Sequence, residues 1–372
     1  MDRYTLAKEA LSMSHGGSGT PGRGPPYAPP RQPSYGSIHV PTGQPVARKP
    51  VRAFRLDTIA PLFAGDWSVN NCIALGSFKE EPRNSIMVAE AAIQTPQPHF
   101  RSICEVPVTM PQTKIAWEAS GSSRMLSSGD TLRLWQFNGA RLDPLASYAK
   151  RSKSQPHVVP APLTSFNWNA INQNMVITSS IDTTCTLWDL ASQTVTTQLI
   201  AHDQEVNDVA FLTSGQNQFV SVGADGSVRL FDLRSLDNST IIYEAPIDER
   251  TRGIVPMLRV APSPMDQNIL CAFGQEQDFA VVLDIRATRN PITKLRGHSA
   301  PINSVRWIPQ SSNLVATGGD DCQLLVWDVS RATFAGAHNE HRPVNNVLAS
   351  KDGVWLGAVS GHSVQGISAQ IL

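Results

Sequence analysis

The chain has 372 residues with 31 basic and 31 acidic side chains, so its formal net charge is zero. Proteins that coat nucleic acid or anionic membrane concentrate Lys and Arg to neutralise phosphate, so this balance leaves nucleic acid as an indirect partner at most. No apolar run approaches the roughly 20 residues of a membrane helix, and the N-terminus lacks the basic and apolar regions of a signal peptide. We therefore expect no membrane partner.

Cysteine and histidine usage predicts the compartment and argues against a metal site. Five cysteines are scattered without a Cys-x-x-Cys pair, which fits neither a disulfide framework nor a zinc site and indicates a reduced protein of the cytoplasm and nucleus. His338 and His341 lie close together, but two histidines without further ligands nearby are more often solvated loop residues. We expect neither a metal nor a cofactor.

Residues 1–50 differ from the rest of the chain. They contain nine Pro, seven Gly and five Ser, and the charged residues after Glu9 are all basic. Such a composition buries too little apolar area to offset the entropy of ordering the chain. We predict a disordered tail over 1–50.

From residue 51 the chain consists of short runs rich in Val, Ile, Leu, Thr and aromatic residues, each closed by Gly, Asn, Asp or Ser. No segment keeps a period of 3.6 residues, so an all-β body is predicted. One unit recurs: an apolar strand, a polar turn, a second strand, a tight turn with Asp, and a strand that closes on an aromatic or apolar residue. Its copies lie at 62–104, 114–137, 164–190, 207–233, 258–285, 303–329 and 344–368.

The spacing of these copies identifies the architecture. The closing residues Trp188 and Phe231 are 43 residues apart, which matches a four-stranded WD40 blade of about 40–45 residues. Seven copies predict one seven-bladed WD40 β-propeller over 51–372. Because the last copy has no clear fourth strand after Ile367, we expect residues 51–57 to supply it and close the ring.

Polar residues recur at fixed positions within three copies. The three sets are His298, Thr317, Asp321 and Trp327; His202, Ser221, Asp225 and Phe231; and Thr178, Asp182 and Trp188, with Val159 where a histidine would stand. His, Ser and Asp together resemble a hydrolase triad, but an active site needs one constellation and this one repeats once per blade. We predict buried chains from indole to hydroxyl to imidazole to carboxylate that stabilise the blades, and no catalytic residue. A propeller hydrolase with a site in the central channel is a separate hypothesis, and it would need carboxylates, histidines or a metal at the mouth of the channel.

Two arginines follow the closing Asp of consecutive copies, as Asp232-Leu233-Arg234 and Asp284-Ile285-Arg286. An exposed Arg beside an Asp contributes little to stability. Arg is also favoured at protein interfaces, and two on consecutive blades would face one surface. Position alone leaves both interpretations open.

Several stretches resemble the WD-repeat family of the plant transparent testa glabra and petunia anthocyanin-eleven proteins, whose animal member is a cullin-RING-associated kinase scaffold. The resemblance is strong over 161–244 and does not include the tail. It departs from the family at Gln277 and Leu283, where the pattern has Asp and Trp, and most of all in the C-terminal copy. The stretches that carry it are 161–169, 178–190, 197–211 and 221–244.

The resemblance implies a non-enzymatic scaffold that assembles multiprotein complexes. Plant members bridge MYB and basic helix-loop-helix transcription factors, and animal members bind dual-specificity tyrosine-regulated and homeodomain-interacting kinases. The main hypothesis is therefore a monomeric scaffold for protein kinases or transcription regulators. The alternative is a substrate receptor of a cullin-RING ubiquitin ligase, because an Asp-x-Arg motif at the end of a blade contacts the adaptor in such receptors. The adaptor-binding candidates are Asp232, Arg234, Asp284 and Arg286.

Overall fold

A computed structural model describes residues 37–39, 53–149, 160–213, 217–249, 251–331 and 333–369. These residues form seven β-sheets whose strands pair antiparallel with their chain neighbours, and no helix occurs among them. The innermost strands contact one another in sequence around a central channel, and the last returns to the first. The predicted seven-bladed all-β propeller is confirmed. None of the described residues forms a helix with the length and apolar character that crossing a membrane requires.

Blades 1 to 7 follow the chain, and within each blade strands A to D run from the channel outward. Blade 1 comprises β3 to β6, at Leu62–Trp67, Cys72–Ser77, Asn84–Ala91 and Phe100–Val108. Blade 2 comprises β7 to β10, at Lys114–Trp117, Arg124–Ser128, Leu132–Phe137 and Leu142–Tyr148. Blade 3 comprises β11 to β14, at Leu163–Trp168, Met175–Ser180, Thr184–Asp189 and Thr194–Ile200.

The remaining blades repeat this pattern. Blade 4 comprises β15 to β18, at Val206–Phe211, Gln218–Gly223, Ser227–Asp232 and Ser235–Glu244. Blade 5 comprises β19 to β22, at Met257–Pro262, Ile269–Gly274, Phe279–Asp284 and Thr293–Arg296. Blade 6 comprises β23 to β26, at Ile302–Trp307, Leu314–Gly319, Gln323–Asp328 and Thr333–Asn339. Blade 7 comprises β27 to β29, at Val344–Ala349, Trp355–Ser360 and Ser363–Ser368, together with β2 at Ala53–Asp57.

The strand that completes blade 7 comes from the other end of the described propeller. Strand β2 pairs antiparallel with β29, with Phe54 opposite Gly366. The Phe54 ring packs 4.5 Å from Phe100 and 5.2 Å from Trp355, centroid to centroid. A Cβ on Gly366 would lie 2.5 Å from the Phe54 ring, so only glycine leaves room for it. Residues from both ends of the chain therefore share one sheet.

A short strand lies within the segment predicted to be disordered. Strand β1 (Ser37–His39) pairs in parallel with β22, the outer strand of blade 5. The outer edge of a blade offers unpaired backbone N–H and C=O groups, which an extended segment of almost any composition can use. Residues 37–39 thus pair with blade 5, and the rest of the segment predicted to be disordered lies outside the described residues.

The core lies between the blades. The buried apolar residues form seven clusters, and each cluster joins two neighbouring blades. Trp67 and Trp327, for example, are fully buried. Because both faces of each sheet are covered, an inner strand such as β15 is buried at every position. Burial in β15 therefore includes the polar side chains of Asn207 and Asp208.

Strand direction sorts the turns onto two faces of the ring. Val206 at the start of β15 pairs with Gly223, and Phe211 at its end pairs with Phe219. Asp232, the last residue of β17, pairs with Gln218 at that same edge. The A–B and C–D turns of all blades therefore share one face, here called the A–B face. The B–C turns and the D–A loops share the opposite face, here called the B–C face.

Candidate functional site

The complete polar network occurs in blade 6, on its B–C face. Trp327 Nε1 donates to Thr317 Oγ1 at 2.9 Å, and Thr317 Oγ1 lies 2.8 Å from His298 Nε2. His298 Nδ1 lies 2.9 Å from Asp321 Oδ1. Burial acts to raise the pKa of Asp321, but hydrogen bonds from His298 and from the Ser299 and Gln323 amides outweigh it, so the pKa lies below its usual value. An ionised Asp321 accepts from the imidazole Nδ1–H, which leaves Nε2 to accept from the threonine hydroxyl.

Blade 4 has the same network without the indole. His202 Nε2 lies 2.7 Å from Ser221 Oγ, and His202 Nδ1 lies 3.0 Å from Asp225 Oδ1. Phe231 stands at the Trp position and has no N–H to donate, so the chain begins at the serine hydroxyl. The carboxylate also accepts from Arg229 Nη2 at 2.9 Å, which adds a cation that blade 6 lacks at this position.

In blade 3 only the first link forms. Trp188 Nε1 donates to Thr178 Oγ1 at 3.0 Å. Asp182 Oδ1 instead accepts from the Thr184 hydroxyl at 2.6 Å. Val159, which stands at the histidine position, lies outside the described residues. Blade 2 carries a first link that the sequence analysis did not single out, since Trp135 Nε1 donates to Ser127 Oγ at 3.0 Å.

These networks are closed to substrates. The side chains of His202 and His298 are 0% exposed, and Ser221 and Thr317 are equally buried. A nucleophile must reach the bond it attacks, so a buried hydroxyl in this position cannot act as one. The structure therefore gives the triad-like residues no route to a substrate.

His338 and His341, the two histidines considered for metal binding, have different environments. His338 lies in strand β26, not in a loop, and its side chain is only 13% exposed, so the expectation of a solvated residue is wrong for it. Its Nε2 lies 3.4 Å from Glu340 Oε1, whereas His341 is exposed. Within the described part of the chain, no group of three or more His, Cys, Asp or Glu side chains is placed to bind a metal ion.

The Asp-x-Arg motifs form a matched pair on the A–B face. Arg234 donates through Nε to Asp232 Oδ1 at 2.9 Å and through Nη2 to Oδ2 at 2.5 Å. Arg286 does the same to Asp284, at 2.9 and 2.6 Å. Both arginine side chains remain largely exposed, at 70% and 66%. The aspartates thus orient two arginines in the same way on consecutive blades, each through Nε and Nη2.

The motif is specific to blades 4 and 5. At the equivalent position blade 3 has Ala191 and blade 6 has Ser330. Hydrogen bonds from Arg234 lower the pKa of Asp232, and those from Arg286 lower the pKa of Asp284, so both carboxylates stay ionised in neutral solution. In water such pairs add little stability. Neither ion pair is therefore a main source of stability for its blade.

Charged residues in the central channel were missed by the sequence analysis. Asp66 in blade 1 accepts from Arg306 Nη2 of blade 6 at 2.6 Å and from the Trp117 amide of blade 2 at 3.0 Å. Lys351 Nζ of blade 7 lies 3.6 Å from the same carboxylate. One buried aspartate therefore joins four blades across the ring.

Asp208 plays the same part on the other side of the channel. It accepts from Lys114 of blade 2 at 3.2 Å, from Ser165 of blade 3 at 2.5 Å and from the Val260 amide of blade 5 at 3.1 Å. Charged residues within buried first strands were the available signal. The sequence could not show that they meet, because Lys114 and Asp208 are 94 residues apart and Arg306 and Asp66 are 240 residues apart.

A closed ring of such blades, with indole–hydroxyl–imidazole–carboxylate networks, defines a WD40 propeller, a class of proteins that are generally non-enzymatic and bind other proteins. The WD40 family, described as "WD domain, G-beta repeat", matches residues 193–232 and 289–328. These segments end at the closing Asp of blades 4 and 6, the two blades that carry the histidine networks.

Comparison of whole chains agrees with this class. A WD repeat-containing protein of Saccharomyces cerevisiae is 39% identical over 73% of this chain and 57% of its own length. A WD repeat-containing protein of Schizosaccharomyces pombe is 39% identical over 72% of this chain and 68% of its own. The DDB1- and CUL4-associated factor 7 homolog of Dictyostelium discoideum is 40% identical over 69% of this chain and 77% of its own.

The chain belongs to the WD-repeat family. It spans a little over half the length of the Saccharomyces relative. The plant transparent testa glabra group is not among these relatives, and the resemblance to it stays a prediction.

Proposed function

We propose that this protein is a non-catalytic scaffold that recruits other proteins to a cullin-RING ubiquitin ligase through its A–B face. The observation that carries the proposal is the pair of identically oriented arginines, Arg234 and Arg286, on consecutive blades. Similarity to a DDB1- and CUL4-associated factor supports a DDB1-type adaptor as the partner on that face. A kinase or a transcription regulator is the proposed second partner.

The arginine pair has the properties of an interface anchor. Arg is enriched among residues that dominate binding energy, and a side chain already oriented by an aspartate loses less freedom on binding. Each guanidinium has five N–H donors, of which the neighbouring carboxylate uses two. The remaining donors point away from that carboxylate, where carboxylate or carbonyl oxygens of an adaptor can accept from them.

The B–C face supports a second partner. Ile200 is 79% exposed at the end of β14, and Ile247 and Ile254 are 65% and 55% exposed in the next D–A loop. Large apolar side chains grouped on one face favour protein binding. The adaptor and the second protein would thus occupy opposite faces, and one scaffold could bind both at once.

The proposed compartment is the cytoplasm and nucleus. All five cysteines are free, and burial raises the pKa of the Cys271 thiol well above its usual range. Such thiols persist in a reducing compartment, which is where cullin-RING ligases act.

The test is charge reversal on the A–B face. The double variant Arg234→Glu, Arg286→Glu should lose co-purification with a DDB1-type adaptor, because it replaces two donors by two charges that repel acidic acceptors. Each single variant should weaken binding about tenfold or more. Binding is measured by surface plasmon resonance with the purified adaptor, and the fold is checked by circular dichroism.

Arg331→Glu is the matched control. Arg331 is an exposed arginine in the C–D turn of blade 6, on the same face but outside an Asp-x-Arg motif, so its reversal should leave adaptor binding intact. Adaptor binding by the folded double variant at wild-type strength would remove this face from the proposal. If the double variant loses the adaptor but still binds a kinase, the scaffold and receptor roles are separable.

A further inference from the structure

A cavity of about 590 Å³ opens at the A–B end of the central channel. Residues from the inner strands and A–B turns of all seven blades line it. This volume is typical of sites for small ligands, which measure about 300–1,000 Å³. The cavity lies apart from the Asp-x-Arg motifs and from the histidine networks, and neither assigns it a role.

The charges of the cavity are unequal. Its cationic residues are Lys114, Arg259, Arg306 and Lys351. Its acidic residues are Asp66, Asp208 and Glu118. Glu118 forms an ion pair with Arg124, which is not a lining residue, so this carboxylate is neutralised from outside. Four cations then face two carboxylates, an excess of two positive charges.

Both remaining carboxylates are already satisfied by the protein. Asp208 accepts from Lys114, Ser165 and the amides of Val209 and Val260. Asp66 likewise accepts from Arg306 and from the Trp117 amide, and Lys351 lies beside it. A metal cation would have to compete with all of these donors. Arg259 also donates to the backbone carbonyls of Asn207 and Leu258, which are uncharged and leave its positive charge unneutralised. The four cations therefore carry more charge than the two carboxylates balance, which favours a bound anion over a bound cation.

The positive charges in the cavity repel one another, and this repulsion affects the pKa of both lysines. Burial lowers the pKa of Lys114, and the positive charges of Arg259 and Arg306 lower it further despite Asp208. Burial and Arg306 likewise lower the pKa of Lys351. Repulsion of this kind inside a cavity is relieved by a bound anion.

We propose that this cavity binds a small, multiply charged oxyanion of the oligophosphate class. Planar guanidinium groups bind phosphate through paired hydrogen bonds, and lysines add point charges. The cations come from blades 2, 5, 6 and 7, on different sides of the channel axis. An anion with several phosphate groups reaches more of them than a single phosphate does. This inference is independent of the proposed ligase role.

Tripolyphosphate is the probe. Titrated calorimetrically into the full chain at constant ionic strength, it should bind at one site, raise the melting temperature and bind more weakly as salt increases. Lys351→Met keeps the length of the side chain and removes its charge, and it should weaken binding about tenfold or more. Arg259→Gln is a second variant with the same expected direction, in case Lys351→Met does not fold.

Arg331→Gln is the control, because it removes an exposed cation outside the cavity and should leave the affinity unchanged. Absence of saturable binding by the wild-type chain would overturn the proposal. So would unchanged affinity in folded Lys351→Met and Arg259→Gln. A phosphoserine peptide titrated in parallel distinguishes the source of the anion: if the peptide binds more tightly than tripolyphosphate, the site belongs to a protein partner and the small-molecule assignment is wrong.

Discussion

Gly223 and Gly319 show how one absent side chain permits a buried network. A Cβ on Gly223 would lie 2.5 Å from His202 Nδ1, and a Cβ on Gly319 would lie 2.9 Å from His298 Nδ1. Blade 3 has Ser180 at the equivalent position, in the blade whose repeat has no histidine. Glycine at this position is therefore a sequence signal for an imidazole that packs against the backbone.

At the residue scale, His298→Ala should lower the free energy of unfolding by about 1–3 kcal/mol. The substitution deprives buried Thr317 and Asp321 of a shared partner, and water does not replace it inside the blade. Thermal and urea unfolding measure the effect. His99→Ala removes an exposed imidazole and should change stability by no more than about 0.5 kcal/mol. Equal unfolding curves for wild type and His298→Ala would contradict a stabilising role for the network.

At the scale of an element, strand β2 decides whether the ring is closed. It is five residues long and pairs with β29 along its whole length. Of its side chains only Phe54 is buried, and it packs into the cluster that joins blades 7 and 1. Backbone pairing thus completes the sheet of blade 7, while one aromatic ring fixes that sheet against blade 1.

Phe54→Ala should destabilise the propeller by about 3–5 kcal/mol, because it leaves a cavity beside Phe100 and Trp355. Urea unfolding at equilibrium measures this loss. Arg55→Ala is the control within the same strand, since Arg55 forms only an exposed ion pair with Asp57. If the two variants lose similar amounts of stability, closure depends on the backbone alone and not on the buried ring.

At the scale of the whole molecule, Asp66 and Asp208 connect blades that are not neighbours. The pKa of Asp208 is set by opposing effects: burial raises it, and the charges of Lys114 and Arg259 with several hydrogen bonds lower it below its usual value. The pKa of Asp66 also lies below its usual value, because burial raises it but the charges of Lys351 and Arg306 lower it by more. Two ionised carboxylates therefore link all seven blades across the channel.

Acid should lower the free energy of unfolding of the propeller. The unfolded chain protonates its aspartates near pH 3.9, and the folded pKa of Asp208 is lower, so the unfolded state takes up protons first as pH falls. The stabilisation is present above about pH 4 and is lost as pH falls through the folded pKa. Urea midpoints measured from pH 6 to pH 3 should decline, and Asp208→Asn should start lower and decline less. Parallel declines in the two proteins would show that other groups control the acid response.

The periodicity of the sequence was sufficient for the architecture. Repeated units with one order of strands and turns gave the number of blades, because each blade is a local unit, and the missing fourth strand of the last unit gave the closing role of residues 51–57. The spacing of His298, Thr317, Asp321 and Trp327 likewise brought those residues together within one blade. The register of a single sheet determines this second result.

Contacts between distant blades followed only from the closed ring. Arg306 and Asp66 are 240 residues apart and meet only because the first and last blades are joined. The parallel strand Ser37–His39 and the cationic cavity have the same origin, since a blade edge and a channel exist only after all seven sheets have assembled. By itself the sequence determined the repeated unit and its internal hydrogen bonds, because these depend on neighbours within about 45 residues. The tertiary structure alone decided which charges converge in the channel, because ring closure sets those distances.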